Sequence, residues 1–107
     1  MPLPPPLSPE ARQKALDKAA AARRQRAELK DRLKMGSLTL RELIEQGDND
    51  EVVGKMKVLT VLESLPGVGK VRARRLMEEI RISEARRVRG LGAQQREALL
   101  KQFPSTT

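Results

Sequence analysis

Apolar residues recur along the chain at helical spacings, and caps, glycines and prolines mark where each run begins and ends. Met1-Pro-Leu-Pro-Pro-Pro-Leu7 opposes helix, because each proline removes a donor and restricts its predecessor; residues 1–8 are therefore expected to form a flexible or polyproline arm. Ser8-Pro9-Glu10 is a helix start: a serine cap, a proline at the first helical position and an acid suited to the helix dipole. Nothing interrupts the pattern before Lys34, so residues 9–34 are predicted to form one helix, about 40 Å long at 1.5 Å per residue. Its apolar positions are mostly alanine, with only Leu16, Leu29 and Leu33 larger. Alanine favours helix but buries little area, so this rod is expected to pack at its C-terminal end through Leu29 and Leu33 and to project elsewhere.

Met35-Gly36 closes the rod, and Thr39-Leu40-Arg41-Glu42 reads as a capping box opening a short helix that Gly47 terminates. Asp48-Asn49-Asp50 predicts a turn or a new cap ahead of Glu51–Met56; its carboxylates are read as helix-start chemistry, not as a catalytic pair. Val58–Leu65 fits a strand by its β-branched residues and a helix by its spacing. Helix is preferred, since no second strand exists to pair with it. A further helix, Lys70 to about Arg81, is expected to bury Val71, Leu76, Met77 and Ile80. Ser83 then caps a short turn, and a last helix from Ala93 to Phe103 buries Leu99, Leu100 and Phe103. The expectation is all-α: a long basic N-terminal helix, a compact core over residues 35–104 and a tail over 105–107.

Composition narrows the chemistry. With no Cys and no His, 107 residues offer no disulfide, no thiolate metal site and no imidazole base; one Phe and no Trp or Tyr leave the core to Leu, Val, Ile, Met and Ala. Neither an enzyme nor a small-molecule site is expected. No apolar run approaches a membrane span and the Pro-rich start lacks the regions of a secretion signal, so a cytoplasmic location is expected.

The net charge of +8 points to a polyanion, and its distribution is more informative than its size. Residues 1–34 carry nine Lys/Arg against four Asp/Glu, residues 35–54 one against five, and residues 55–107 twelve against five. Two basic blocks thus flank an acidic segment, a segregation that simple solubility does not require. On the rod, Arg23, Arg24, Lys30 and Lys34 are the expected contacts with such a partner.

The densest chemistry lies in Leu65-Pro66-Gly67-Val68-Gly69-Lys70-Val71-Arg72-Ala73-Arg74-Arg75-Leu76. The two glycines permit positive φ and close backbone approach, and the following helix presents unpaired N–H groups at the positive end of its dipole. Such a hairpin binds anions. Val68 is expected to plug it into the core and Ala73 to let its helices approach, leaving Lys70, Arg72 and Arg74 or Arg75 around a phosphate. A Walker loop is excluded: Ser64 and Val71 stand where glycine and Ser/Thr are needed. Arg86-Arg87-Val88-Arg89-Gly90-Leu91-Gly92 supplies a second glycine pair beside three arginines, read as a second phosphate cradle. Its arginines are too crowded for all to find acidic partners nearby.

The hairpin, over residues 58–81, resembles the helix-hairpin-helix motif of DNA-binding proteins; in that motif family a potassium or sodium ion sometimes bridges hairpin carbonyls and phosphate. From Ala19 to Phe103 the chain resembles the actinobacterial integration host factor family. The stretches carrying the resemblance are Lys18–Arg24, Ala27–Lys34, Val53–Val58, Leu65–Lys70 and Arg86–Gly92. It implies a helix-two-turns-helix core akin to that of ribosomal protein S13 and a nucleoid-associated protein. Such a protein binds duplex DNA with little sequence preference, across the minor groove, and constrains its shape. Pro66 matches the hairpin proline of that family, and Arg86, Arg87 and Arg89 its arginine cluster. A monomer is expected, with rod and core engaging one duplex or bridging two.

Three rivals are weaker. A DNA glycosylase using Pro2 lacks the acidic neighbour, having Leu3 instead. It also has no Asp after Asp50 and no aromatic groups to hold a flipped base. A structured-RNA binder of the ribosomal type and a protein adaptor using the alanine-rich helix are the others.

Overall fold

Serine and proline start the first helix as their chemistry requires. In a computed structural model, which describes residues 8–103, Ala11 N–H donates to Ser8 Oγ at 3.1 Å and helix α1 runs Pro9–Met35. Gly36 closes it in the left-handed conformation, φ 79°, with its N–H turned back to Leu33 O at 3.1 Å. Expectations for the Pro-rich arm and the 105–107 tail lie outside the described residues.

The alanine face does what alanine allows. Only Leu29 and Leu33 of α1 reach the core, and Leu16 stays 55% exposed. Farther along the rod, Gln25 Nε2 donates to Asp50 Oδ2 at 2.7 Å, a side-to-side tie beyond the last buried leucine. The rest of α1 projects, and the long axis of the molecule reaches 52 Å.

Helix α2, Leu40–Gly47, opens on the expected capping box: Glu42 N–H donates to Thr39 Oγ1, and Thr39 N–H donates to Glu42 Oε1, each at 3.1 Å. The bond from Thr39 N–H, with a further one from the Thr39 hydroxyl at 3.0 Å, holds the Glu42 carboxyl below the usual carboxylate range. The reading of Gly47 as a stop needs correction. It is the buried last residue of α2, and α2 closes on Asp48 in right-handed geometry. Its lack of a side chain serves packing: a Cβ there would fall 2.8 Å from Val88 Cγ1 and 3.6 Å from Gly54 Cα.

Asp50 caps helix α3, Glu51–Gly54, by accepting the N–H groups of Val52 and Val53. Helix α4, Val58–Ser64, is a helix as spacing predicts, with Val58, Val61 and Leu62 inward. The hairpin then leads into helix α5, Gly69–Ile80, which closes on Arg81 at φ 64°. Ala73, Leu76 and Met77 are its buried stripe. Val71 is not buried, contrary to expectation, but 74% exposed; at 3.6 residues per turn it lies about 200° from Ala73. Ile80 is half-buried against the core.

A 3-10 turn, Val88–Gly90, precedes helix α6, Ala93–Gln102, which places Leu99 in the core with Leu100 and Phe103 packed at its margin. Among the described residues no strand forms, and the only bridge joins Lys57 to Arg87. Val58 N–H donates to Arg86 O at 3.0 Å and Val88 N–H to Met56 O at 2.9 Å. Those two bonds fasten the arginine turn to the start of α4, which sequence spacing does not announce.

Candidate nucleic-acid interface

Pro66-Gly67-Val68-Gly69-Lys70 stands between α4 and α5 as an exposed loop on a buried anchor. Val68 is buried, as is Ala73 where the two helices meet. Gly67 and Gly69 have φ of 74° and 69°, and a Cβ on either would meet nothing within 4 Å. Glycine is needed there for its backbone conformation, which turns the chain without adding a side chain between it and a ligand. Among the described residues, the N–H groups of Gly67, Gly69, Lys70 and Val71 donate to no partner. They form an open donor array at the positive end of α5.

Cations surround that array. Lys70, Arg74 and Arg75 share a face of α5 with Val71 and Glu78, while Arg72 lies on another exposed flank. Arg74 Nε sits 3.7 Å from Glu84 Oε1, an exposed pair that solvent weakens. Beside the hairpin, Lys30 and Lys34 of α1 line a hollow with Pro66 and Gly67, with Asp31 and Glu63 on its wall.

Lys30 also lines a second hollow of about 300 Å³, together with Arg26, Lys55, Lys57 and Arg87; no carboxylate lines it. The same lysine thus links the hairpin side to the arginine turn in one cationic front. Spacing alone placed Lys30, Lys34 and Arg87 among the candidates but missed Arg26, Lys55 and Lys57. For Arg26 a signal existed, four residues before Lys30 on one helix stripe. Lys57 joins only because the backbone bridge brings residues 57 and 87 together. Lys55 is shared with Glu51 at 2.7 Å, and that bond holds the Glu51 carboxyl below its ordinary range.

The arginines of the turn are held differently from one another. Arg86 donates to Gly90 O at 3.0 Å and Arg87 to Lys55 O, while Arg89 lies against Gly54. None has an acidic partner among the described residues, as crowding predicts. Gly90 and Gly92 do not repeat the hairpin: neither has positive φ, Gly90 N–H donates to Arg87 O, and Gly92 N–H to Gln95 Oε1. Any anion at this turn meets guanidinium groups rather than those two amides. On α1, Arg23 continues the Arg26–Lys30–Lys34 stripe, whereas Arg24 is turned about 100° from it. Neither lines the two hollows that share Lys30. Among the described residues no cluster of acidic, Cys or His side chains suits a metal, and no helix is long and apolar enough to cross a membrane.

Comparison with known proteins gives this arrangement a family. The S13-like H2TH domain matches residues 33–103, from the last turn of α1 through α6. The integration host factor of Streptomyces coelicolor is 61% identical over 102 residues, spanning 95% of each chain. The chain belongs to the integration host factor family. The Mycobacterium tuberculosis member is 56% identical over 101 residues, covering 94% of this chain and 96% of that one. A solved integration host factor structure, described as sIHF bound to an 8-bp palindromic DNA, superposes with a TM-score of 0.80 at 60% identity. It covers 81% of this chain and 98% of the other. The all-α reading and the family resemblance both hold, and the matched domain coincides with the part of the molecule that has a buried core.

Proposed function

We propose that this chain is a non-enzymatic architectural protein of the nucleoid that binds duplex DNA by its phosphate backbone, largely without regard to sequence. The observation that carries this reading is a cationic front in which Lys30 and Lys34 line a hollow with Pro66 and Gly67, at the hairpin where the N–H groups of Gly67, Gly69, Lys70 and Val71 are open. Lys30 in turn joins them to Arg26, Lys57 and Arg87. Donors and cations in a row suit a line of phosphates, and phosphate contacts position without reading bases. The solved relative described with DNA supports it. Contact across the minor groove, bending, and bridging of two duplexes by the rod and the core belong to the same proposal. So does support for chromosome organisation and site-specific recombination in the cytoplasm. The carbonyls of Pro66 and Gly67 accept no hydrogen bond among the described residues, leaving them open to a potassium or sodium ion shared with a phosphate.

Such binding releases counterions, so log affinity falls with log salt with a slope of about −4 to −8 if roughly five to nine phosphates are neutralised. Arg86→Ala with Arg87→Ala lowers affinity for all sequences alike and makes the slope shallower. A flat salt response contradicts the reading, and selective loss on one sequence means direct base readout. The S13-like core favours one competing function, binding of structured RNA. Displacement of labelled duplex DNA by structured RNA at equal salt, with RNA the tighter ligand, would decide for it.

A further inference from the structure

Val71 occupies a position that no packing role explains. Of the seven valines in the chain, five are buried and Val52 is half-buried, but Val71 is 74% exposed. It is also the apolar member of an otherwise ionic surface, sharing its face of α5 with Lys70, Arg74, Arg75 and Glu78. Side chains of a helix lean toward its N-terminus, so this isopropyl group leans toward the open N–H groups of Gly69, Lys70 and Val71 itself.

A nucleic-acid backbone alternates an anionic phosphate with a sugar, and the two sugars differ at one position. Deoxyribose offers a methylene at C2′, whereas ribose puts there a hydroxyl that proteins use to tell RNA from DNA. With a phosphate held at the hairpin and flanked by Lys70 and Arg74, the adjoining sugar is what meets Val71. We propose that Val71 packs on the deoxyribose next to the hairpin-bound phosphate and is a determinant of DNA-over-RNA choice. It excludes the ribose hydroxyl by stripping its water and returning no hydrogen bond. This inference rests on the DNA-binding reading above and adds the sugar to what that site recognises.

The test compares two duplexes of one sequence at fixed salt: all-DNA, and the same duplex with an isolated ribonucleotide at every third position, its B-like form checked by circular dichroism. The full-length wild-type chain is expected to bind the ribonucleotide duplex about five- to tenfold more weakly, the loss set by an unpaired hydroxyl. Val71→Thr keeps the shape but supplies a hydroxyl partner, and brings the two affinities within about twofold. The ratio is the readout, so a general change in affinity does not mimic it. Arg86→Ala with Arg87→Ala lowers both affinities and preserves the wild-type ratio. Equal wild-type binding to both duplexes overturns the proposal, as does a Val71→Thr variant that keeps the wild-type ratio. Wild-type binding to neither duplex overturns the DNA-binding reading itself, and this inference with it.

Discussion

Glu42 shows how much of a small protein's start-up chemistry resides in single side chains. Its carboxylate accepts both the N–H and the hydroxyl of Thr39, and those bonds depress its pKa. A group with a lowered folded-state pKa adds stability above its unfolded value, near 4.5, and that contribution is lost as pH falls through the folded value. Glu42→Gln keeps an acceptor but cannot titrate. The stability gap between wild type and this variant is therefore expected to be constant at neutral pH and to shrink below about pH 4.5 in urea melts. A gap that widens with acid would contradict the assignment. Thr39, Glu42 and Asp50 were legible in the sequence because caps act over three residues. Val71 was misread for the complementary reason: its apolarity suggested burial, while its angle from Ala73 puts it outside.

Among the elements, the informative contact is the one between α2, α3 and the arginine turn. Gly47 and Gly54 face one another, and Arg89 lies over Gly54; a Cβ on Gly54 would come 2.9 Å from Gly47 O and 2.9 Å from Arg89 Nε. A backbone oxygen cannot swing aside as a side-chain end can. Gly54→Ala is thus expected to cost about 1–3 kcal/mol as overpacking, read as a lower urea midpoint at unchanged slope. It also displaces Arg89, so DNA affinity falls even where the variant is fully folded. Wild-type stability and affinity together would show that the contact is slack. The sequence presented Gly47 only as a stop signal, because a packing glycine and a terminating glycine look alike until the opposing element is known. The same limit hid Lys55 and Lys57: the elements were predictable, but the bridge from Lys57 to Arg87 that gathers their charges was not.

At the scale of the whole molecule, the proposed bridging assigns separate duplexes to the core and the projecting rod. Beyond Gln25, the N-terminal part of α1 buries no large side chain; Lys18 lines a hollow with Arg26, Glu51 and Lys55, and Arg12 and Lys14 lie farther along the rod, beyond the front built by Arg26, Lys30, Lys57 and Arg87. Deleting residues 1–21 leaves Leu29, Leu33 and the Gln25–Asp50 bond in place. The shortened chain is therefore expected to unfold close to the wild-type midpoint. It should also bind a single short duplex with a salt slope reduced by no more than about 3, the number of cations removed. Bridging is the property that should be lost, because a second duplex needs charge displaced from the first. Pull-down of unlabelled duplex by immobilised duplex measures it directly. If the shortened chain bridges as well as the full one, the second contact lies on the core; if it fails to hold even one duplex, the rod belongs to the primary site.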